Sequence, residues 1–204
     1  MIDKIKWLGH ASIRIEADKI IYIDPWKLKD GPPADIILVT HEHYDHFSPD
    51  DIGKIRKDDT VIVAPPEVAR RFSGGGVRAL KPGETTTVYG VKVEAAPAYN
   101  IDKAFHPREK GWLGFVVTVA DTTVYFSGDT DVIPEMKDIR ADIWILPIGG
   151  TYTMTAEEAS RIVNEVRPKT VVPIHWGDLV GSREDAEKFK GLCETTVVIK
   201  EVTS

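Results

Sequence analysis

The sequence predicts an α/β fold in which two β-sheets face each other and helices cover the outside. Short segments rich in Ile and Val recur along the chain, with a small number of helical segments between them. Three apolar segments end in His or Asp, as expected of strands that deliver side chains to one crevice. No low-complexity segment or linker divides the 204 residues, so we expect a single domain over 1–204.

The first half of the chain consists mainly of predicted strands. They are 5–8, 13–16, 20–23, 36–39, 60–64, 77–80, 85–89 and 91–95. The first three are short and β-branched, which is typical of an antiparallel meander. Ser48, Pro49 and the acids after them predict a helix start, and a short helix is expected to end at Phe72. We expect the strands between 77 and 95 to continue the same sheet.

The second half repeats this strand-rich pattern. Its predicted strands are 115–119, 123–126, 142–146, 170–174 and 196–199. Thr155 and Glu158 have the spacing of a capping box at the start of a helix that Pro168 ends. A second helix is predicted at 183–190. Two sheets with helices outside them accommodate this order of elements.

The segment from His41 to His46 contains three of the six histidines in the sequence. In a tight turn after a strand, His41 and His43 can face one metal ion while Asp45 and His46 face a second. Imidazole and carboxylate suit zinc, and also manganese or iron. A solvated loop that is merely rich in histidine is the alternative. We favour the metal site, because a buried strand before the loop would hold it rigidly.

Two further strand ends supply residues that would complete such a site. One predicted strand leads into Asp129 and another into His175. We expect these ends to meet the histidine loop, so that His175 joins Asp45 and His46 while the two oxygens of Asp129 bridge the ions. Coordination to a metal ion lowers the pKa of water to about 7, so a metal-bound hydroxide is the expected nucleophile.

At 40–46, 127–130 and 174–176 the sequence resembles the successive metal motifs of the metallo-β-lactamase-fold hydrolases. The similarity spans nearly the whole chain, because 7–11 and 23–25 also resemble the opening strands of this superfamily. The compact chain is similar to the branch of ascorbate-6-phosphate lactonase-like proteins and the phospholipase D that acts on N-acylphosphatidylethanolamines. This resemblance implies a four-layer αββα sandwich with a dinuclear metal site in the groove between its halves.

The sequence departs from the motifs of this branch at one ligand. The resemblance places a metal-binding His just after the strand near residue 95, where this chain has Asn100. Asn is a poor zinc ligand, so we favour His106 from the following loop, which would fill a tetrahedral site. Otherwise His106 is a surface or substrate-contacting residue and the metal site is mononuclear.

These residues predict a metal-dependent hydrolase that acts on a small-molecule ester, lactone or phosphodiester. Asp45 and Asp129 are the expected catalytic carboxylates, with Asp45 as a proton shuttle. We expect two zinc ions per chain, with manganese or iron as alternatives. Two other interpretations stay open. One is a member of the fold that keeps its metal without catalysis. The other is a di-iron redox protein, for which the resemblance implies Glu in place of His43.

Four further positions have two interpretations each. Asp24 is either the hydrogen-bond acceptor of a ligand imidazole or a turn residue before Pro25. His10 either lines the pocket or packs in a strand turn. The segment 151–154 is either a substrate rim or a link to the next helix. Trp176 is expected to pack under the site rather than to bind substrate.

Composition argues against several classes of partner. The formal net charge of −6 leaves no basic footprint for nucleic acid or an anionic membrane. No segment approaches the roughly 20 apolar residues of a membrane span. The single cysteine, Cys193, excludes an internal disulfide and favours a cytoplasmic location. The oligomeric state is left open.

Overall fold

The computed structural model describes residues 1–74 and 76–203, so Gly75 and Ser204 of the expected 1–204 domain lie outside it. Two mixed β-sheets of six and seven strands face each other. Helices cover both outer faces, which makes a four-layer αββα sandwich. The fold class that the sequence predicts is therefore confirmed.

The first sheet holds the N-terminal strands in chain order. They are β1 (Ile5–Gly9), β2 (Ser12–Glu16), β3 (Ile20–Ile23), β4 (Ala34–Leu38), β5 (Arg56–Ala64) and β6 (Val77–Ala79). β1 to β3 form the expected antiparallel meander, whereas β3 to β6 run parallel to one another. The central parallel strands are apolar on both faces because both faces are covered.

The second sheet holds the remaining strands in reverse spatial order. They are β7 (Thr85–Val88), β8 (Val91–Pro97), β9 (Leu113–Val119), β10 (Thr122–Phe126), β11 (Ile143–Pro147), β12 (Thr170–Ile174) and β13 (Thr196–Val197). β7 to β10 pair antiparallel and β10 to β13 pair parallel.

The expectation that every strand between 77 and 95 continues the first sheet is wrong for β7 and β8. β6 has only 3 residues, and a turn with Gly83 at φ +88 follows it. The Gly83 amide then donates to the Ala95 carbonyl oxygen at 2.7 Å, which attaches the chain to the second sheet. A glycine is needed at this turn because side chains disfavour a positive φ.

In the described residues, four α-helices cover the sandwich: α1 (Pro49–Ile55), α2 (Pro66–Ala69), α3 (Ala156–Val166) and α4 (Arg183–Leu192). The Ser48 hydroxyl accepts from the Asp51 amide as the N-cap of α1, and Thr155 and Glu158 form the expected capping box of α3. α2 ends at Ala69 rather than Phe72. None of the described helices is long and apolar enough to cross a membrane.

Alternation along the strands divides the apolar residues between two layers. In and after β4, Ile36 and Leu38 enter the large core between the sheets, whereas Ile37 and Val39 enter a smaller core. That smaller core also contains Ile52 of α1. The buried strands thus hold the loops at their carboxyl ends from both sides, which positions the residues described next.

Candidate metal centre

The predicted site residues gather at one edge of the sandwich, where strands from both sheets end. β4 leads into the loop that carries His41 to His46, β10 leads into Asp129, and β12 leads into His175. The sequence predicts that these strand ends meet in one crevice, but β4 belongs to the other sheet. The residues therefore converge across the groove between the two sheets.

The histidine loop is a compact turn. The His46 and Phe47 amides both donate to the His43 carbonyl oxygen, at 3.0 and 2.8 Å. The Leu113 amide of β9 donates to the Thr40 carbonyl oxygen at 3.1 Å, which ties the start of the loop to the second sheet. The side chains of His41 and His46 are buried, so their positions are set by packing.

One cluster of imidazoles consists of His41, His43 and His106. Their ligand atoms all lie within 4.8 Å of one another. His41 Nε2 and His43 Nδ1 are 3.0 Å apart, and the His106 ring lies across both, with centroid separations of 5.2 and 5.1 Å. Three imidazoles with one open position are a common donor set for a catalytic zinc ion.

A second cluster consists of His10, Asp45, His46 and His175, again with ligand atoms within 4.8 Å of one another. Three of these are the ligands that the sequence predicts for a second ion. His10 Nε2 lies 3.0 Å from Asp45 Oδ2, and the His10 and His175 rings pack at a tilt of 43° with centroids 3.9 Å apart. The structure therefore places His10 in the second cluster. The sequence left the position of His10 undecided.

Asp129 stands between the two clusters. Its Oδ2 lies 3.4 Å from His46 Nε2, 3.3 Å from His106 Nε2 and 3.2 Å from His175 Nε2. Within the described part of the chain, these three buried nitrogens have no hydrogen-bond partner. Buried nitrogens around a shared carboxylate are costly without a cation, so this arrangement fits bound metal ions.

The electrostatics of the clusters suit ligands. Burial, reinforced by His46, lowers the pKa of His41 well below its usual value, and burial together with His106 lowers the pKa of His43. Neutral imidazole is the form that binds metal. Burial opposes a positive charge on His46, but Asp129 and Asp24 outweigh it and raise its pKa well above the usual value. Asp129 and Asp24 thus make the surroundings of His46 negative, which suits a bound cation.

The carboxylates are held ionised in turn. Burial opposes the charge of Asp129, but His175 and His46 outweigh it and hold its pKa well below the usual value. Burial also opposes ionisation of Asp45, yet the hydrogen bond from His10 and the charge of His46 lower its pKa to about 2. Both side chains are therefore carboxylates at neutral pH.

Hydrogen bonds behind the clusters fix which nitrogen of each imidazole faces the centre. His46 Nδ1 donates to Asp24 Oδ2 at 2.7 Å, which leaves Nε2 to face Asp129. The Thr40 hydroxyl donates to the same Asp24 oxygen at 2.6 Å, so it accepts from His41 Nδ1 at 2.9 Å. His41 Nε2 is then free to bind a metal. The predicted contact of Asp24 with a ligand imidazole is present.

His106 and Asn100 have different positions. His106 Nε2 faces the centre, and its Nδ1 lies 3.2 Å from the Tyr152 carbonyl oxygen. The Asn100 amide group donates to the same carbonyl oxygen at 2.8 Å, and its backbone amide donates to the His106 carbonyl oxygen at 2.7 Å. Asn100 thus lies behind His106 and supports the loop that carries it.

Backbone strain is concentrated at this site. His10, Asp24 and His175 have φ values of +46, +47 and +60, in the left-handed region that side chains disfavour. Such conformations cost roughly 1–3 kcal/mol each and persist where packing holds them. Three strained residues in contact with the candidate ligands indicate that the fold stabilises this geometry.

Three groups that support the candidate site were not predicted from the sequence: the Thr40 hydroxyl, the Tyr152 carbonyl and the Asp131 carboxylate. Asp131 accepts from the Ile101 amide at 2.9 Å and pairs with Lys103, so it anchors the loop before His106. A Thr next to His41 and an Asp two residues after Asp129 are the sequence signals. Neither indicates by itself which remote segment it would contact.

A cavity of about 280 Å³ opens above Asp129. Its floor is formed by candidate ligands and its mouth by Tyr44, Phe105, Tyr152 and Leu179. Tyr152 places part of the segment 151–154 at the rim. Trp176 packs against Trp7 with ring centroids 4.7 Å apart, and its indole nitrogen donates to the Pro173 carbonyl oxygen.

A family model described as the beta-lactamase superfamily domain matches residues 4–175. A UPF0173 metal-dependent hydrolase of Pyrococcus abyssi is 35% identical over 208 aligned positions, which cover 93% of this chain and 91% of the relative. A second, from Thermofilum pendens, is 33% identical and the alignment covers 98% of this chain and 94% of the relative.

Solved structures show the same fold. A proposed metal-dependent hydrolase from Parabacteroides distasonis has a TM-score of 0.87 and 35% identity, covering 98% of this chain and 93% of that one. A metallo hydrolase from Ignicoccus hospitalis has a TM-score of 0.80 and 24% identity, covering 98% and 95%. At that lower identity the likeness concerns the fold alone.

Proposed function

Because the chain belongs to the beta-lactamase superfamily, and within it to the UPF0173 metal-dependent hydrolases, we propose that it uses two bound metal ions to hydrolyse a small ester, lactone or phosphodiester. The observation that carries the proposal is the position of Asp129 Oδ2 between three otherwise unpartnered imidazole nitrogens. His41, His43 and His106 would hold one ion, and Asp45, His46 and His175 the other, with Asp129 between them. We propose zinc, because the donors are imidazoles and carboxylates.

The bound ions would supply a water that is acidic near neutral pH and would polarise the scissile carbonyl or phosphoryl oxygen. Asp45, ionised at neutral pH, would accept a hydrogen bond from that water and orient it. Hydrolysis would form a bond from the water oxygen to carbon or phosphorus and break the bond to the leaving oxygen. Asp45 would take one water proton and return it to the leaving oxygen.

His10 keeps Asp45 in place for this role. Its Nδ1 lies 3.1 Å from the Asp178 carbonyl oxygen and its Nε2 lies 3.0 Å from Asp45 Oδ2, so the ring is held between these two segments. The ring is therefore fixed with Nε2 towards Asp45 Oδ2.

The test combines metal analysis with turnover. Purified protein loaded with zinc or manganese is assayed on a p-nitrophenyl ester, a lactone, a β-lactam and bis-p-nitrophenyl phosphate. We expect two ions per chain and turnover of at least one substrate, with both lost in Asp129→Ala. Asp121→Ala, at an exposed turn, is the matched control. Metal-loaded protein that is inactive on every class contradicts the proposal.

Two outcomes identify the alternatives. If Asp129→Ala loses only metal and thermal stability and the parent protein turns over nothing, the metal is structural. If the purified protein contains iron and is coloured, the di-iron redox interpretation is supported. Colourless protein with zinc or manganese removes it.

A further inference from the structure

The part of the substrate that does not react can be inferred from the mouth of the cavity. Resting on the function proposed above, we propose that this part is apolar and uncharged, as in an acyl ester or an alkyl-substituted lactone. We further propose that Phe105 and Leu179 select it. A phosphomonoester, with its dianionic group, is disfavoured by the same surface.

The mouth is built from exposed apolar side chains. Tyr44, Phe105 and Leu179 are 66%, 49% and 51% exposed, and all three line this one cavity. Isolated exposed apolar residues are ordinary, but a group of them around a concave site marks a binding surface. At about 280 Å³ the cavity suits a small ligand.

Leu179 is held in place by its backbone. It lies at the tip of a tight turn in which the Val180 amide donates to the Asp178 carbonyl oxygen at 2.8 Å. Its φ is +65, and a bulky side chain in that region is a true outlier. The Gly177 amide donates to the Gly181 carbonyl oxygen and closes the turn. A strained leucine exposed over the candidate centre points to a role in binding.

Phe105 is held from the opposite wall. Its ring packs edge-on against Tyr152 with centroids 4.6 Å apart. The loop that carries it is anchored by Asp131 and closed by the hydrogen bond between the Asn100 amide and the His106 carbonyl oxygen. Phe105 therefore presents a fixed aromatic face to the cavity.

Charge at the mouth argues against an extra anionic group. Among the described residues that line the cavity, none is Lys or Arg. The cations on neighbouring segments are engaged elsewhere: Lys27 with Asp178, Lys103 with Asp131, and Lys110 and Arg71 with Glu42. A phosphate group outside the metal ions would thus meet no cationic partner of the kind phosphate sites use.

The experiment measures chain-length preference in the zinc-loaded protein. Burial of one methylene is worth roughly fourfold, so the two extra methylenes of p-nitrophenyl butyrate should raise kcat/KM over that for the acetate about 15-fold. Phe105→Ala and Leu179→Ala should raise KM for the butyrate and shrink this ratio to about threefold or less. Ala keeps the same backbone strain at position 179. Leu192→Ala, another partly exposed leucine, should leave the ratio unchanged.

A titration separates this inference from the proposed function. Hexanoate and acetate are titrated into the zinc-loaded protein and followed by NMR, with no turnover required. Hexanoate should bind at least about tenfold more tightly, and the two variants should lose the difference. Equal binding of both acids, or faster turnover of p-nitrophenyl phosphate than of the butyrate ester, overturns the inference. Absence of any turnover with a retained hexanoate preference overturns only the hydrolase function.

Discussion

Asp24 Oδ2 lies 2.7 Å from His46 Nδ1 in a fully buried pair. The same oxygen accepts from the Thr40 hydroxyl, which in turn accepts from His41 Nδ1. His41 belongs to the first cluster of candidate ligands and His46 to the second. One carboxylate that coordinates nothing thus orients an imidazole in each cluster.

Asp24→Asn should weaken the binding of both proposed metal ions. An Asn side chain is neutral and cannot accept from both donors as strongly, so His46 and His41 lose their fixed orientation. Loss of such a supporting contact typically costs 10–100-fold in metal affinity, and we expect about that for each ion. Competition with a chelator measures both affinities.

Thr40→Val tests the hydrogen bonds to His41 separately from the hydrogen bond between Asp24 and His46. It removes the hydroxyl between Asp24 and His41 but leaves the pair of Asp24 and His46 in place. Only the ion held by the first cluster should bind more weakly. Unchanged affinity for both ions in Asp24→Asn would show that the network does not support the ligands.

His106→Ala and Asn100→Ala should differ in metal content. His106 Nε2 faces Asp129, whereas the Asn100 side chain lies behind it and bonds the Tyr152 carbonyl. We expect His106→Ala to retain one ion per chain and Asn100→Ala to retain two, with reduced affinity for the first. Elemental analysis distinguishes them. Loss of an ion in Asn100→Ala with none lost in His106→Ala would reverse the assignment.

The sequence predicts much of the fold because its strands are apolar and bounded by turn residues. The uninterrupted apolar run of Ile36, Ile37 and Leu38 predicts a strand covered on both faces, and the structure places these residues in two cores. Candidate ligands at strand ends, such as His41 and His175, could be placed because strand direction fixes where they emerge. The chain crosses to the second sheet after β6. This crossing depends on pairing with remote strands, so it could not be predicted from the sequence.

The position of His106 could not be derived for a related reason. Its loop has no regular structure, and its path is set by contacts with Asp131 and Tyr152, which lie far along the chain. Such remote contacts cannot be predicted from the residues next to His106 in the sequence. The role of His10 was undecided because its neighbours Asp45 and Asp178 are equally remote.

Gly149→Ala should destabilise the fold and disturb His175. A Cβ at this position would overlap the His175 carbonyl oxygen and lie 2.9 Å from Val180 Cγ2. The backbone of His175 is already strained, so it has little room to move. We expect a loss of about 1–3 kcal/mol in the free energy of unfolding, measured by urea denaturation, and weaker metal binding.

Gly53→Ala is the matched control for this change. Gly53 lies in α1, and a Cβ added there would meet open space. Ala should therefore stabilise that helix by roughly 0.5–1 kcal/mol. If both substitutions had the same effect on stability, the close approach of Gly149 to His175 would not matter.

Asp142→Asn should reduce stability at neutral pH but not in strong acid. The carboxylate pairs with Lys169 Nζ at 2.6 Å and accepts from the amide and hydroxyl of Thr123, which joins the starts of β10 and β11. The hydrogen bond from Lys169, followed by those from Thr123, lowers the pKa of Asp142 to about 2.

Because the pKa of Asp142 is lowered in the folded state, its contribution to the free energy of unfolding increases with pH. The pKa of an unfolded Asp is about 3.9, so the folded state is favoured above this value and the gain is lost as pH falls towards 2. Water screens the exposed Lys169, so we expect only about 1 kcal/mol at pH 7. Urea denaturation of Asp142→Asn and of the exposed control Asp121→Asn, at a series of pH values, measures the difference. A gap between the two variants that stayed constant down to pH 2 would exclude an ionised Asp142 as its source.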